Sequence, residues 1–283
     1  MTVATGGEPL SIGQLPWPAN KLKRLGQCIR DGTDPIPPSL PAYDDVMVFY
    51  NDLAADTQDK IAGLDWGPLL GDRVPEVTSR PKTIDTLRQK LQREHTTQLP
   101  SIQDIAGVRF EAEMTLDEQD AVANAVAGLF GHDLKACTKD LRDDPHSGYR
   151  AVHLWLRLPA RVEVQIRTHL QGQWANTYEA LADLMGREIR YGGMPEDPPS
   201  AELVSSIQNI SKNGISLLEK GRVNIRRARD RIERSNSPED QTAELANLLK
   251  IEADLDEVER DVQVGLVEIK ESCYRMRDNK TKG

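Results

Sequence analysis

Charged and aromatic side chains interrupt three short apolar segments between Asp104 and Trp174, and they are the residues of this chain best suited to chemistry. The segments read D-I-A-G-V-R, S-G-Y-R-A-V-H and E-V-Q-I-R-T. Their pattern predicts β-strands, on which buried polar groups are costly unless they are paired or bind a ligand. The interrupting groups are Asp104, Arg109, Tyr149, His153, Glu163 and Arg167. Acids and cations placed together in a sheet suit a metal ion and a polyphosphate.

Asp104 and Glu163 are the candidate metal ligands, because hard carboxylates at strand ends suit Mg²⁺, with water and substrate phosphates as further ligands. Glu163 is alternatively a general base that takes a proton from an attacking hydroxyl. Asp104 and Arg109 are an odd number of residues apart, so a regular strand would place them on opposite faces. Either Asp104 lies at the mouth of the strand or Gly107 bends it. The competing interpretation of each acid is a structural ion pair with Arg109 or Arg167.

A cationic stripe precedes these strands, at and within a short amphipathic helix predicted over 83–94. Arg80 and Lys82 lie just before the helix, and Lys90 and Arg93 lie on it, on a face that also carries Thr86. Cations beside a helix N-terminus suit a triphosphate, because backbone N–H groups and side-chain charges attract the same anion. The alternative is a solvated helix face, which is the usual meaning of a run of charges.

Tyr149 follows the turn signal Ser147–Gly148, so its ring is placed to project from a loop and stack on a base. His153 shares the parity of Tyr149 and is a candidate phosphate contact. The competing interpretation of Tyr149 is an aromatic residue that covers the core.

Composition limits the class of protein. The chain has 283 residues, a net charge of −9 and 5% aromatic residues, which suits a helix-rich protein with one main domain and an extension. The negative charge argues against a general nucleic-acid coat protein and leaves room for a local basic patch. The cysteines lack C-x-x-C spacing and no apolar run reaches membrane length, so we expect a cytoplasmic protein with no membrane partner.

Hydrophobic periodicity predicts an α+β fold with a mixed β-sheet of about five strands flanked by helices, followed by a C-terminal helical hairpin. We expect a flexible tail at 1–17, a main domain at 18–192 that begins with helices over 18–70, and the hairpin extension at 193–283. The predicted strands are Ile105–Glu113, Leu134–Thr138, Arg150–Leu158 and Arg161–Thr168.

The extension is predicted to hold two long helices, 202–234 and 239–277, joined at 235–238, where Asn236 or Ser237 is the candidate cap. Its second helix carries an apolar stripe: Leu248, Ile251, Leu255, Val258 and Val262. Such a stripe predicts packing on the partner helix, the main domain, a second copy of the chain or an inhibitory protein.

The order of the motifs R-P-K, D-I-A-G-V-R, G-Y-R-A-V-H, E-V-Q-I-R-T and W-A resembles the synthetase domain of the RelA/SpoT family over about residues 76–192. Enzymes of that family move pyrophosphate from ATP to the 3′-hydroxyl of GDP or GTP and so make (p)ppGpp. The resemblance implies a nucleotidyltransferase-like sheet and a small pyrophosphokinase that only synthesises, with ATP as donor and Mg²⁺ as cofactor.

The resemblance also implies roles for individual residues. For ATP it implies that Arg80 and Arg109 sandwich the adenine ring. It also implies that the phosphates are held by Lys82, Thr86 and Lys90. For the metal it implies Asp104, with Glu163 as second ligand or general base. For the acceptor it implies that Tyr149 stacks on the purine, with His153 and Gln165 nearby.

The acceptor side departs from the family pattern. Asp144–Ser147 stand where a Lys and an Asn usually precede the G-Y, and 172–173 and 178–179 also differ. A toxic branch of the family, found in toxin–antitoxin pairs, includes members that pyrophosphorylate the 3′ CCA end of tRNA. Both acceptors therefore stay open. We expect a growth-inhibiting toxin of a toxin–antitoxin or phage-defence system, with an antitoxin or a homo-oligomer contact through the C-terminal helices.

Basic residues outside the pocket would hold the tRNA acceptor stem. One candidate group is Lys21, Lys23 and Arg24, and the other is Arg222, Arg226, Arg227, Arg229 and Arg231. The competing interpretation of the second group is the outer face of a long helix, paired with Glu and Asp. A different class of function is a catalytically inactive nucleotide-binding sensor that acts through its helical tail.

Overall fold

The protein is represented by a computed structural model that describes residues 10–234 and 238–282. Residues 1–9 of the predicted tail and the predicted linker residues Asn236 and Ser237 lie outside this range. The chain forms two compact units. The first comprises the described residues up to Ala112, with Ala121–Lys139 and Val152–Ile166. The second comprises Glu113–Asp120, Asp140–Ala151 and the described residues from Arg167 onward.

Five strands form one sheet in the order β1-β2-β5-β4-β3. Their bounds are β1 Glu76–Pro81, β2 Ala106–Ala112, β3 Thr138–Asp140, β4 Val152–Arg157 and β5 Arg161–Thr168. Strands β1 and β2 are antiparallel, as are β4 and β5. The predicted α+β fold, a mixed five-stranded sheet flanked by helices and followed by C-terminal helices, is confirmed.

Ten α-helices are described within 10–234 and 238–282. Six of them belong to the sequence up to the end of β3: α1 Ala19–Asp31, α2 Tyr43–Ala62, α3 Gly67–Leu70, α4 Ile84–Arg93, α5 Leu116–Leu129 and α6 Leu134–Cys137. The other four are α7 His169–Met185, α8 Pro198–Asn209, α9 Ser216–Glu233 and α10 Pro238–Lys282. None of the helices in the described residues is both long and apolar enough to cross a membrane.

The β4–β5 pair separates apolar from polar side chains. Its register places Leu154 opposite Val164 on one face, where both side chains are fully buried. On the other face, Trp155 lies opposite Glu163 and His153 opposite Gln165. Because side chains alternate along a strand, the residues expected to do chemistry share a face that the apolar core does not occupy.

Two predictions of local structure need correction. The predicted strand Leu134–Thr138 is instead helix α6 followed by β3, because the Asp133 side chain caps the helix by accepting a hydrogen bond from Ala136 N at 2.9 Å. Strand β1 was missed, since its sequence E-V-T-S-R-P has one aliphatic residue and ends in Pro81. Such composition is tolerated at the edge of a sheet, where β1 lies.

The C-terminal helices pack within the second unit, where they share an apolar cluster with α7. The cluster includes Trp174, Leu181, Ile207, Leu218, Leu266 and Cys273. A π-helical segment, Ile210–Ile215, joins α8 to α9. The predicted apolar stripe of α10 is only partly right: Leu248 is buried, but Ile251 and Val258 are 53% and 51% exposed. Leu255 and Val262, seven and fourteen positions after Leu248, are half-buried against the same cluster, so one row of the stripe packs and the other faces solvent.

Candidate active site

Arg80 and Arg109 lie on the same face of the β1–β2 pair. The register pairs Arg80 with Gly107 and Thr78 with Arg109, so the two arginines are diagonal neighbours. Diagonal neighbours on a sheet lie about 7–8 Å apart, and Gly107 contributes no side chain between them. Guanidinium groups stack on planar rings. The pair therefore has the geometry to hold a flat aromatic ligand.

Asp104 lies two residues before β2, in a bend. Of the two explanations for its odd spacing from Arg109, the position at the strand mouth is therefore the right one. Its carboxylate accepts hydrogen bonds from Lys82 Nζ at 2.5 Å and from Lys90 Nζ at 2.8 Å. The structure thus brings together two residues expected to hold phosphate and one expected to hold metal.

The charge state of Asp104 follows from these contacts. Burial alone would raise the pKa of the carboxyl group, but the positive charges and hydrogen bonds of Lys82 and Lys90 outweigh it and hold the pKa below its ordinary value. Asp104 is therefore a carboxylate at neutral pH. One acid shared by two lysines leaves an excess of positive charge, which an arriving polyphosphate can neutralise.

Helix α4 begins with a polar turn next to this cluster. Thr83 caps the helix, and its hydroxyl accepts a hydrogen bond from Thr86 N at 3.4 Å. The Thr86 hydroxyl donates to Thr83 O at 2.9 Å. Arg93 lies at the far end of α4 and pairs with Glu94 at 3.2 Å. Thr86 is thus close to the helix N-terminus, where backbone N–H groups favour anions.

Glu163 is buried on β5, where three neighbouring side chains form hydrogen bonds with its carboxylate. Its Oε1 accepts hydrogen bonds from His153 Nδ1 at 3.1 Å and Trp155 Nε1 at 3.2 Å, and its Oε2 accepts one from Gln165 Nε2 at 2.7 Å. Burial alone would raise the pKa of Glu163, but these donors, chiefly His153, lower it to about 2. Trp155 was not predicted from the sequence to belong to the site, although it shares strand parity with His153.

The donor set fits a divalent cation. Among the residues that the structure describes, no group of three or more His, Cys, Asp or Glu side chains could hold a metal ion alone. Mg²⁺ is usually held by one or two carboxylates and completed by substrate phosphates and water, and Asp104 and Glu163 are both ionised oxygen donors. Each carboxylate is therefore of the kind that binds a divalent cation arriving with a polyphosphate.

Tyr149 belongs to the second unit, in the loop before β4. Arg167 holds its ring: the guanidinium donates to the Tyr149 hydroxyl at 2.7 Å and lies 5.0 Å from the ring centroid. The ring also packs against the apolar cluster of this unit. Tyr149 is therefore half-buried and fixed in orientation, while His153 and Gln165, expected to act with it, belong to the first unit.

The two basic groups differ in their partners. Lys21, Lys23 and Arg24 lie on α1, and among the described residues none of the three forms an ion pair. Four arginines of the second group are paired with acids: Arg222 with Asp256 and Glu259, Arg226 with Glu118, Arg227 with Asp117, and Arg229 with Glu252. For these four, the salt-bridged outer face is the better interpretation.

The second unit contains a buried polar network that was not predicted from the sequence. Arg150 donates to Glu219 at 2.6 Å, and both side chains are buried. Glu219 also accepts hydrogen bonds from Thr168 and Gln171. One signal was present, because Glu219 shares a helical face with the buried residues Ile215 and Val223. Its partner Arg150, 69 positions away, could not be read from the sequence.

Comparison with known proteins assigns the chain to a family. A model described as a region found in RelA / SpoT proteins matches residues 79–182. The uncharacterized proteins Rv1366 of Mycobacterium tuberculosis and Mb1401 of Mycobacterium bovis are each 51% identical over 198 residues, which cover 69% of this chain and 70% of the relative. The chain belongs to the RelA/SpoT family.

The fold agrees with that assignment. The small alarmone synthetase 1 from Bacillus subtilis, solved bound to its product pppGpp, is similar with a TM-score of 0.50 and 22% identity, over 66% of this chain and 98% of that one. The RelA/SpoT region, 79–182, contains every residue expected to bind ATP or metal. It ends inside α7, so α8, α9 and α10 lie beyond it.

Proposed function

We propose that this RelA/SpoT protein transfers pyrophosphate from ATP to the ribose 3′-hydroxyl of GDP or GTP, with AMP as the second product. The observation that carries the proposal is the pair of lysines on Asp104, at 2.5 Å and 2.8 Å, within a RelA/SpoT region. Two lysines that share a single carboxylate can exchange it for the phosphate groups of an arriving nucleotide.

The residues of the first unit divide the binding of ATP between them. Arg80 and Arg109 hold the adenine ring between their guanidinium groups. Lys82 and Lys90 turn from Asp104 to the phosphates, where they stabilise the charge that develops as the bond between the α- and β-phosphates breaks. Thr86 donates its hydroxyl to a phosphate oxygen. The oxygen of the 3′-hydroxyl forms the new bond to the β-phosphorus, AMP leaves, and the hydroxyl proton passes to solvent.

Asp104 and Glu163 hold Mg²⁺ in this proposal, and the ion neutralises phosphate charge when it is bound. A pKa of about 2 makes Glu163 a weak base, which favours the ligand role over the general-base role. Phosphorus transfer needs little covalent assistance from the protein, since positioning and charge stabilisation supply most of the catalysis. His153, Gln165 and Trp155 keep Glu163 ionised and oriented.

Tyr149 stacks on the guanine of the acceptor, with Arg167 fixing the ring. A guanine nucleotide is supported by the similar alarmone synthetase, which was solved with pppGpp. The 3′ end of tRNA is the second candidate acceptor. It is favoured by one observation, the cations Lys21, Lys23 and Arg24, which lack ion-pair partners among the described residues.

Labelled ATP separates these outcomes. The protein is incubated with Mg²⁺ and ATP labelled in the α- or the γ-phosphate, together with GDP, GTP or bulk tRNA in separate reactions. We expect the α-label in AMP and the γ-label in a guanosine tetra- or pentaphosphate. Label in tRNA alone would identify the second acceptor. ATP binding without AMP release would identify an inactive sensor and overturn the proposal.

Growth inhibition is the expected cellular consequence with either acceptor, because the reaction consumes guanine nucleotide or blocks the 3′ end of tRNA, and translation needs both. Overexpression of the wild-type chain should arrest growth, and Asp104→Asn should abolish the arrest at an equal protein level. Harmless overexpression of an enzyme whose activity has been demonstrated would contradict a toxic role. A partner that relieves the arrest, such as an antitoxin, would then be sought by co-expression.

A further inference from the structure

Residues beyond position 200 hold the loop that carries Tyr149 on both sides. The Gly148 carbonyl accepts a hydrogen bond from Ser211 Oγ at 2.6 Å, and Arg150 donates to Glu219 Oε2 at 2.6 Å. The loop needs such anchors, because Ser147 and Gly148 have positive φ values of 54° and 85°. A left-handed serine is strained and persists only where its surroundings fix it.

Glu219 also holds the segment that carries the partner of Tyr149. Its Oε1 accepts hydrogen bonds from Thr168 Oγ1 at 2.6 Å and Gln171 Nε2 at 2.8 Å. Thr168 directly follows Arg167, whose guanidinium donates to the Tyr149 hydroxyl. One carboxylate therefore fixes the residues next in sequence to both members of the Tyr149–Arg167 pair.

The network is buried and its hydrogen bonds link several elements, so it favours one geometry. Arg150 and Glu219 are 3% and 5% exposed, and Arg150 also donates to Arg142 O at 2.8 Å. Stability alone would be served as well by apolar residues of similar volume, whereas breaking one side of a buried pair leaves a charge without its partner. The arrangement holds only while α9 is docked on its own unit.

We propose that Glu219 is a positioning residue for the acceptor: by holding Arg150 and Thr168, it sets the Tyr149–Arg167 pair on which the acceptor base stacks. This inference rests on the proposed pyrophosphate transfer. It gives α9, which lies beyond the RelA/SpoT region at 79–182, a part in recognising the acceptor. The ATP-binding residues belong to the first unit, so they should not respond to a change at Glu219.

The test is a steady-state comparison of Glu219→Gln with wild type, using ATP with GDP and with GTP. We expect the KM for the guanine nucleotide to rise about tenfold or more, with the KM for ATP within about twofold of wild type. The matched control is Glu259→Gln, which removes an acid partner of Arg222 on α10, outside the network. Both KM values of this control should equal those of wild type.

A second variant covers the case in which Glu219→Gln does not fold, as judged by thermal unfolding. Ser211→Ala removes the anchor of Gly148 without leaving a charge unpaired, and it should raise the KM for the acceptor alone, by about threefold. An unchanged acceptor KM in Ser211→Ala and in any folded Glu219→Gln would overturn the inference, as would an equal rise in both KM values. Absence of AMP release by wild type would instead overturn the proposed function.

Discussion

The Lys82–Asp104–Lys90 cluster of the first unit and the Arg150–Glu219 pair of the second are both built from opposite charges, but they differ in burial. The side chains of the cluster are 15%, 28% and 22% exposed, whereas those of the pair are 3% and 5% exposed. A partly exposed cluster can exchange partners with an arriving anion. A buried pair cannot open without leaving a charge in a poorly solvated site.

The difference in burial suits the cluster to binding a ligand and the pair to positioning a loop. Partner exchange is what a phosphate site needs, because its lysines must be held before the substrate arrives and released when it binds. A fixed loop is what a stacking site needs, because a misplaced ring loses both contact and orientation. Substitutions in the cluster should therefore affect activity with little effect on stability, and substitutions in the pair should affect both.

The largest expected effect is that of Asp104→Ala. It removes a carboxylate that faces the proposed phosphate site, so we expect AMP release to fall by about three orders of magnitude. The thermal unfolding midpoint should change little, since the side chain is partly exposed and both lysines can reach solvent. Loss of activity together with a large loss of stability would show that Asp104 is a structural residue, and the contrast between the two regions would disappear.

The opposite balance is expected for Glu219→Leu. Removing one partner of a buried pair should lower the free energy of unfolding by about 3–5 kcal/mol, measured by urea denaturation. The double variant Arg150→Met with Glu219→Leu removes the unpaired charge, so part of that stability should return. The KM for the acceptor should stay high in the double variant. If it returned to the wild-type value with stability, the network would serve folding alone.

Local periodicity was enough to predict much of the first unit. Strand β5 was predicted with its observed bounds, and helical spacing placed Thr86 and Lys90 on one face of α4, with Lys82 two residues before the helix. These features depend on neighbours within a few residues, which a sequence displays directly. Both lysines converge on Asp104 across 22 and 14 positions, and periodicity could not show these contacts.

The features that were missed depend on long-range partners. Strand β1 exists because β2 pairs with it, since its own sequence lacks an apolar alternation. The stripe of α10 was predicted as one seam, but the surface available to it buries Leu248 and leaves Ile251 and Val258 exposed. Periodicity shows that a face is apolar, whereas the neighbouring helices determine how much of that face is covered.

The pH dependence of stability tests whether Glu163 is held as a charged group. Glu163 is buried like Glu219, but it lies on the polar face of β5. Its pKa falls from an ordinary 4.5 to about 2 on folding, so its charged form stabilises the protein above pH 4.5. That contribution is lost as the pH falls from about 4.5 towards 2. Comparison of wild type with Glu163→Gln by urea denaturation at pH 6, 4 and 3 should show the difference in unfolding free energy shrinking by about 2 kcal/mol. A constant gap would mean that the folded-state pKa of Glu163 is ordinary.

The smallest effect is expected for Arg227→Gln. This variant breaks an ion pair that has no role in binding ATP or in holding the Tyr149 loop in the proposed function. Arg227 donates to both oxygens of Asp117 at 3.0 and 3.1 Å, but the two side chains are 62% and 47% exposed. Exposed pairs are solvated before and after they form, so the free energy of unfolding should change by less than about 1 kcal/mol. In Arg227→Gln, the labelling of GDP, GTP and tRNA should equal that of wild type. By contrast, the triple variant Lys21→Ala, Lys23→Ala and Arg24→Ala should lower labelling of tRNA if tRNA is an acceptor. A selective loss of tRNA labelling in Arg227→Gln would show that RNA displaces Asp117, and the salt-bridged face of α9 would then be a binding surface after all.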